Sequence, residues 1–136
     1  MRILALLFLL PGLALAQDFG PYQATVDKVI DGDTLKLTVA LWPGLNQKIS
    51  LRLDGIDTPE KRGSPDCEKV LAKKATEFTQ EFVKSGVVTV SNVTLGKYAG
   101  RALGSVAVDG KDLVDALIRA GHGRAYDGGK RGSWCQ

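Results

Sequence analysis

"VIDGDTLKL" (residues 29–37) decides how this chain is read. Its second half alternates cleanly. Leu35 and Leu37, continued by Val39, share one face, while Thr34, Lys36 and Thr38 share the other. That period of two marks a strand with one buried side. The residues before it, "YQATVDKVI" (22–30), read as a second strand, and Asp31-Gly32 is a short-turn signal between the two. The same turn sets Asp31 and Asp33 two positions apart against an apolar wall. Two readings stand at this point: a tight turn, which composition alone favours, or half of a site for a hard cation.

Working outward, Trp42-Pro43-Gly44 breaks the chain, and "QKISLRLDGI" (47–56) supplies a third strand. Ile49, Leu51 and Leu53 face one way and Ser50 and Arg52 the other, so Arg52 projects from the core. A helix follows, with Ser64 as its cap, Pro65 in its first turn, and Leu71, Ala75, Phe78 and Phe82 at helical spacing up to Gly86. "VVTVSNV" (87–93) and "RALGSVAV" (101–108) are two more strands. After Asp109-Gly110, "DLVDALIRAG" (112–121) is a short amphipathic helix closed by Gly121. Five strands, a helix after the third and another after the fifth define an α+β class: a five-stranded OB-fold β-barrel with two or three helices.

The first residues, "MRILALLFLLPGLALAQ", run from a basic position through an apolar stretch to small residues, the order of a signal peptide cleaved after Ala16. The apolar run is interrupted and shorter than the roughly 20 residues a spanning helix needs. Residues 1–16 are therefore expected to leave, and 17–136 to form one domain. Export to the periplasm or the medium is the expected location, without stable membrane association after cleavage, and the mature protein is expected to be a monomer. Without Arg2 the chain carries 17 basic and 15 acidic residues. That mild excess permits an anionic partner without requiring one. Two cysteines, Cys67 and Cys135, in an exported chain favour a disulfide over free thiols. A bridge closing so long a loop is worth about 4 kcal/mol in the chain-entropy description. No Cys/His spacing suited to zinc accompanies them.

The chemistry lies around the third strand. Asp57, Thr58 and Glu60 follow it in "LDGIDTPE" (53–60). If the first three strands form a meander, the ends bearing Asp33 and Asp57 meet, and an all-oxygen set of that kind suits Ca²⁺ or Mg²⁺ rather than zinc. The spacing fails the EF-hand pattern. Arg52 and Arg101 add guanidinium groups that match phosphate oxygens and stay charged. Glu60 can accept a proton from an attacking water. Singly, each of these residues is ordinary; the set is informative only if it converges.

The ordered segments "VIDGDTLKL", "LRLDGIDTPE" and "GRALGSVAVDGKDLVDALIRAG", with "KY" at 97–98, resemble the thermonuclease family, the staphylococcal-nuclease-like domains, over about residues 24–126. The resemblance implies an OB-fold barrel and Ca²⁺-dependent hydrolysis of DNA and RNA to 3′-phosphate products. It implies that Asp33 and Asp57 ligate calcium with the backbone carbonyl of Thr58, and that Asp31 is an acidic neighbour tuning the site. Arg52 and Arg101 match its phosphate-binding arginines. Glu60 matches its general base, or alternatively a residue that positions the water. Lys97, Tyr98 and Tyr126 match possible substrate contacts, with Tyr126 either stacking on a base or buried.

This chain departs from the family pattern in three places. "GKYAGR" holds one extra residue before Arg101. Gly96 stands where the family's type member has an acid. That member's long C-terminal helix is replaced by a glycine-rich tail, "YDGGKRGSWCQ". The lone histidine, His122, reads as structural or incidental. The competing function is a non-catalytic OB-fold module for single-stranded nucleic acid. Such modules grip bases with aromatic platforms, and the acid–arginine set has no use in simple strand binding.

Overall fold

The computed structural model describes residues 18–96 and 101–135. The expected signal sequence, Lys97 and Tyr98 lie outside the described residues. The elements are β1 (Tyr22–Asp31), β2 (Thr34–Trp42), β3 (Leu45–Leu53), β4 (Ile56–Asp57), α1 (Asp66–Phe82), β5 (Val87–Leu95), β6 (Arg101–Val108), β7 (Lys111–Asp112), α2 (Leu113–Arg119) and β8 (Arg124–Ala125).

β1, β2 and β3 form an antiparallel meander, and β5 joins the free edge of β1. β6 runs antiparallel to β5 and parallel to β3, which closes the sheet on itself. The result is a closed, mixed five-stranded barrel with two helices, the α+β OB-fold architecture expected from the sequence. The three two-residue strands β4, β7 and β8 are additions that the periodicity did not signal.

The alternation in β2 is realised directly. Leu35, Leu37 and Val39 face inward with Leu51 and Leu53 of β3, and all five are essentially inaccessible to water. Val88 and Val90 of β5, Val106 of β6, and Leu113 and Leu117 of α2 complete the same cluster. Each such side chain contributes about 1.5–3 kcal/mol on burial. Arg52 points outward, opposite Thr34 in the β2–β3 ladder.

Helix α1 departs from its expected face and cap. Its buried residues are Glu68, Ala72, Ala75, Thr76 and Thr79. Phe78 and Phe82, by contrast, pack half-buried at the rim of the core. The cap position is Pro65, with no side-chain capping bond, because the Ser64 hydroxyl donates instead to the Glu60 carbonyl. The small buried face has a cause in the β1–β2 turn. Gly32 sits against the helix so closely that a Cβ there would lie 2.9 Å from Ala75 Cβ. Thr79 Oγ1 donates to the Gly32 carbonyl at 2.7 Å. Larger residues on this face would push the turn, and Asp31 and Asp33 with it, off the barrel end.

Candidate active site

The β1–β2 turn and the segment after β3 converge, as the meander requires. Gly32, between the two carboxylates of the turn, lies against Thr58: a Cβ on it would be 3.3 Å from Thr58 Cβ. Asp33, Asp57 and Thr58 are all buried, at 4%, 1% and 1% exposure. Asp33 accepts from its neighbour Thr34 Oγ1 at 2.9 Å, and its Oδ2 lies 3.7 Å from Arg52 Nη2. The same Arg52 nitrogen reaches the Ile56 carbonyl at 3.5 Å. Arg52 is thus held between the turn and the start of β4.

Asp31 sits at the end of β1 beside this group. Burial pushes its carboxyl above the usual range, and the nearby Asp33 charge pushes it the same way. Lys61, Arg62 and Arg101 oppose both effects. The field of Arg101 therefore reaches the turn. This is geometrically sensible, because β6 runs beside β3 with Arg101 opposite Ser50, two residues from Arg52. Arg52, Glu60, Arg101, Tyr126 and Arg131 all line one open cleft of about 500 Å³.

Three of the expected catalytic and contact residues, Arg52, Glu60 and Arg101, therefore share one cavity with Tyr126. The Glu60 carboxylate is partly exposed to the cleft, and its main-chain N–H donates to Glu68 Oε1 at 3.0 Å. Tyr126 is half-buried rather than a core residue. Its N–H donates to the Gly55 carbonyl and its hydroxyl to Gly129. His122 packs its ring on Phe78, 5.1 Å between centroids, the structural role expected of it.

Cys67 and Cys135 form the expected disulfide, Cα atoms 5.9 Å apart, and with it comes an arrangement that the sequence reading missed. The bridge lays the glycine-rich tail across the site. Asp57 Oδ1 accepts from Arg131 Nε at 2.7 Å. Its Oδ2 accepts from Trp134 Nε1 at 3.0 Å and from Arg124 Nη2 at 3.3 Å. Arg131 Nη2 also donates to the Thr58 carbonyl at 3.2 Å and to Glu68 Oε1 at 2.9 Å. Its Nη1 lies 3.7 Å from Glu60 Oε2. Burial alone would lower the Arg131 pKa, but the bonds to Asp57 and Glu68 outweigh it and hold the guanidinium charged. The Arg124 guanidinium lies 4.1 Å over the Trp134 ring, a cation–π contact that stiffens the tail. One signal could have found this group. If Cys67 and Cys135 pair, then Glu68 and residues 131–134 must be neighbours.

In kind these residues are those a hard cation takes, but the places are filled here: Arg131 donates to the Asp57 carboxylate and to the Thr58 carbonyl. Asp33 and Asp57 offer carboxylates and Thr58 its carbonyl, every donor an oxygen. Thr58 Oγ1 is in addition a buried polar atom with no hydrogen-bond partner. Among the described residues no group of three or more His, Cys, Asp or Glu is gathered closely enough to hold a metal.

A closed OB barrel with paired arginines, a glutamate and buried aspartates at its rim is the architecture of a nuclease-like domain. The chain matches the family described as staphylococcal nuclease homologue over residues 50–133, and it belongs to that family. It is 33% identical over 105 residues to endonuclease YncB of Bacillus subtilis (strain 168), covering 75% of this chain and 47% of that protein. It is also 33% identical over 105 residues to the SPbeta prophage-derived endonuclease YokF of the same organism, covering 75% of this chain and 33% of that protein. The chain thus spans half or less of the length of these relatives.

Proposed function

We propose that this protein is a calcium-dependent, sugar-nonspecific endonuclease that hydrolyses DNA and RNA and leaves 3′-phosphate ends. The observation that carries the reading is the shared cleft. Arg52, Glu60 and Arg101 line one cavity, and the buried Asp33 adjoins it through Arg52, while Asp57 and Thr58 do not line it. The two endonuclease relatives support the same reaction class.

Each residue has a role that follows from its position. Arg52 and Arg101 approach from adjacent parallel strands, so their guanidinium groups can clasp two oxygens of one phosphodiester. Two guanidinium groups so placed would offset the negative charge that builds up at phosphorus in the transition state. Glu60 is exposed enough to meet water and takes its proton, or orients it, as the water attacks in line with the leaving 5′-oxygen. Asp33, Asp57 and the Thr58 carbonyl would hold a calcium ion, which would supply Lewis-acid stabilisation of the developing charge. Asp31 adds negative charge beside the ligands. Tyr126, on the cleft wall, offers a face for a nucleobase, and Lys97 and Tyr98 belong to the same proposed contact set.

Export after loss of residues 1–16 belongs to this reading, and the Cys67–Cys135 bond suits an oxidising compartment. The test is incubation of purified protein with DNA and with RNA in Ca²⁺, Mg²⁺ or EDTA. Cleavage of both polymers in calcium, with 3′-phosphate ends, is expected. Tight binding of single strands without cleavage in any divalent ion would replace the enzyme with a binding module.

A further inference from the structure

We infer that the outward face of β1, β2 and β3 is a second nucleic-acid contact surface, on which Lys28, Lys36 and Lys48 hold backbone phosphates of a single strand leading into the cleft. This inference rests on nucleic acid being the substrate, as read above, and it needs no metal.

The sheet register places these lysines. Lys28 of β1 stands opposite Lys36 of β2, Lys36 opposite Ser50 of β3, and Ser50 opposite Arg101 of β6. The four residues make one row across four neighbouring strands, about 14 Å from end to end at the usual strand spacing. Their chain neighbours Val29, Leu35, Leu37, Leu51 and Ala102 point into the core, so the row faces solvent. Lys48, opposite Thr38, stands in the next row of the same face. Lys36, Lys48 and Ser50 line a shallow hollow of about 590 Å³ together with Asp27. Arg101, the neighbour of Ser50 on the other side, lines the cleft. Hollow and cleft therefore meet at the Ser50–Arg101 pair.

A β-bulge makes this row basic. Val26 pairs with Leu37, and an unbroken ladder would set Asp27 opposite Lys36 as an ion pair. The register shifts between Val26 and Lys28, so Lys28 takes that place. Like charges directly opposite each other destabilise a sheet, and bulges commonly re-aim a side chain for use. Asp27 instead accepts from Thr38 Oγ1 at 2.8 Å. Among the described residues the lysines held in ion pairs are Lys69, Lys73 and Lys84, which leaves Lys28, Lys36 and Lys48 to an anion from outside. The row carries no aromatic ring, so it grips backbone rather than base, which suits strands of any sequence.

The experiment measures binding of a single strand of about 20 nucleotides to the full chain by fluorescence anisotropy, in EDTA, across a fourfold rise in salt. Each phosphate contact on a single strand adds about 0.7 to the slope of log affinity against log salt, so Lys28→Gln, Lys36→Gln and Lys48→Gln together should flatten that slope by about 2. The rise in salt should then weaken wild type roughly 20-fold more than the triple variant. Arginine at all three positions should keep the wild-type slope. A dinucleotide, long enough only for Arg52 and Arg101, should bind wild type and the triple Gln variant alike. An unchanged slope in the triple variant overturns the inference. So does an equal loss on the dinucleotide, which would make the lysines a general field rather than a contact surface. Should the triple variant fail to fold, the three single variants carry the test, each expected to flatten the slope by about 0.7, and unchanged slopes in all three overturn it. A wild type that binds no strand contradicts the nuclease reading and this inference together. One that binds and cuts while the triple variant keeps its slope contradicts this inference alone. One that binds through the lysines and cuts nothing in any divalent ion supports this inference and contradicts the nuclease reading alone.

Discussion

Arg131 Nε stands 2.7 Å from Asp57 Oδ1, joining two residues 74 positions apart in the chain. Asp57 is 1% exposed, and a carboxylate so placed is costly unless charged and polar donors surround it. Arg131 and Trp134 of the tail and Arg124 of β8 provide them, and the Cys67–Cys135 bond fixes the tail. The covalent link, the ion pair and the proposed ligand form one connected unit, and most of the expectations below act on it or on the turn facing it.

Breaking the disulfide should cost stability before it costs the fold. The loop between the cysteines spans 68 residues, so Cys67→Ser with Cys135→Ser should lower unfolding free energy by up to about 4 kcal/mol. Urea denaturation of the double variant measures this. A midpoint equal to that of the oxidised wild type would show that the bridge constrains nothing beyond the tail. Thiol titration of exported protein should find no free cysteine.

The paired arginines should each be indispensable, and lysine should not replace them. Arg52→Lys and Arg101→Lys keep charge but lose the planar fork. Each should fold normally and lose at least about 10²-fold in turnover, the scale of one lost transition-state donor set. Steady-state rates at saturating calcium and DNA decide it. A near-wild-type Arg101→Lys would place Arg101 outside the phosphate clamp despite its position in the cleft.

The β1–β2 turn should tolerate no side chain at Gly32. A Cβ there would meet Ala75 Cβ at 2.9 Å and Thr58 at 3.3 Å, and overpacking of this kind typically costs about 1–3 kcal/mol. Gly32→Ala should therefore destabilise the fold and also weaken calcium binding, because the turn carries Asp33. A compensating Ala75→Gly should recover part of the stability in a denaturant series.

Much of the fold was legible because a barrel strand writes its burial into every second residue. Leu35, Leu37, Val39, Leu51 and Leu53 were assigned to one face by spacing alone, and all five are buried. Helix α1 was harder. Of the expected stripe only Ala75 is fully buried, and close approach to Gly32 places Thr79 beside it in the position the larger side chains were expected to take, a tertiary constraint with no local signature. The gathering of Arg52, Glu60 and Arg101 was an implication of the family resemblance, and the three line one cleft. The roles of Arg124, Arg131 and Trp134 were not legible, because a two-residue strand and a glycine-rich tail have no periodicity to read. The pairing of Cys67 with Cys135 brings residues 131–134 toward α1, and the β4–β8 ladder sets Arg124 opposite Asp57.

Calcium dependence of cleavage tests the central claim most directly. Initial rates of DNA hydrolysis by wild type and by Asp33→Asn should be followed across a calcium titration, with an EDTA control. Wild type should be inactive in EDTA and saturate with calcium, and Asp33→Asn should need substantially more calcium for half-maximal rate, because the amide is a weaker ligand for a hard cation. Full activity in EDTA, or superimposable calcium curves for the two proteins, would contradict the account.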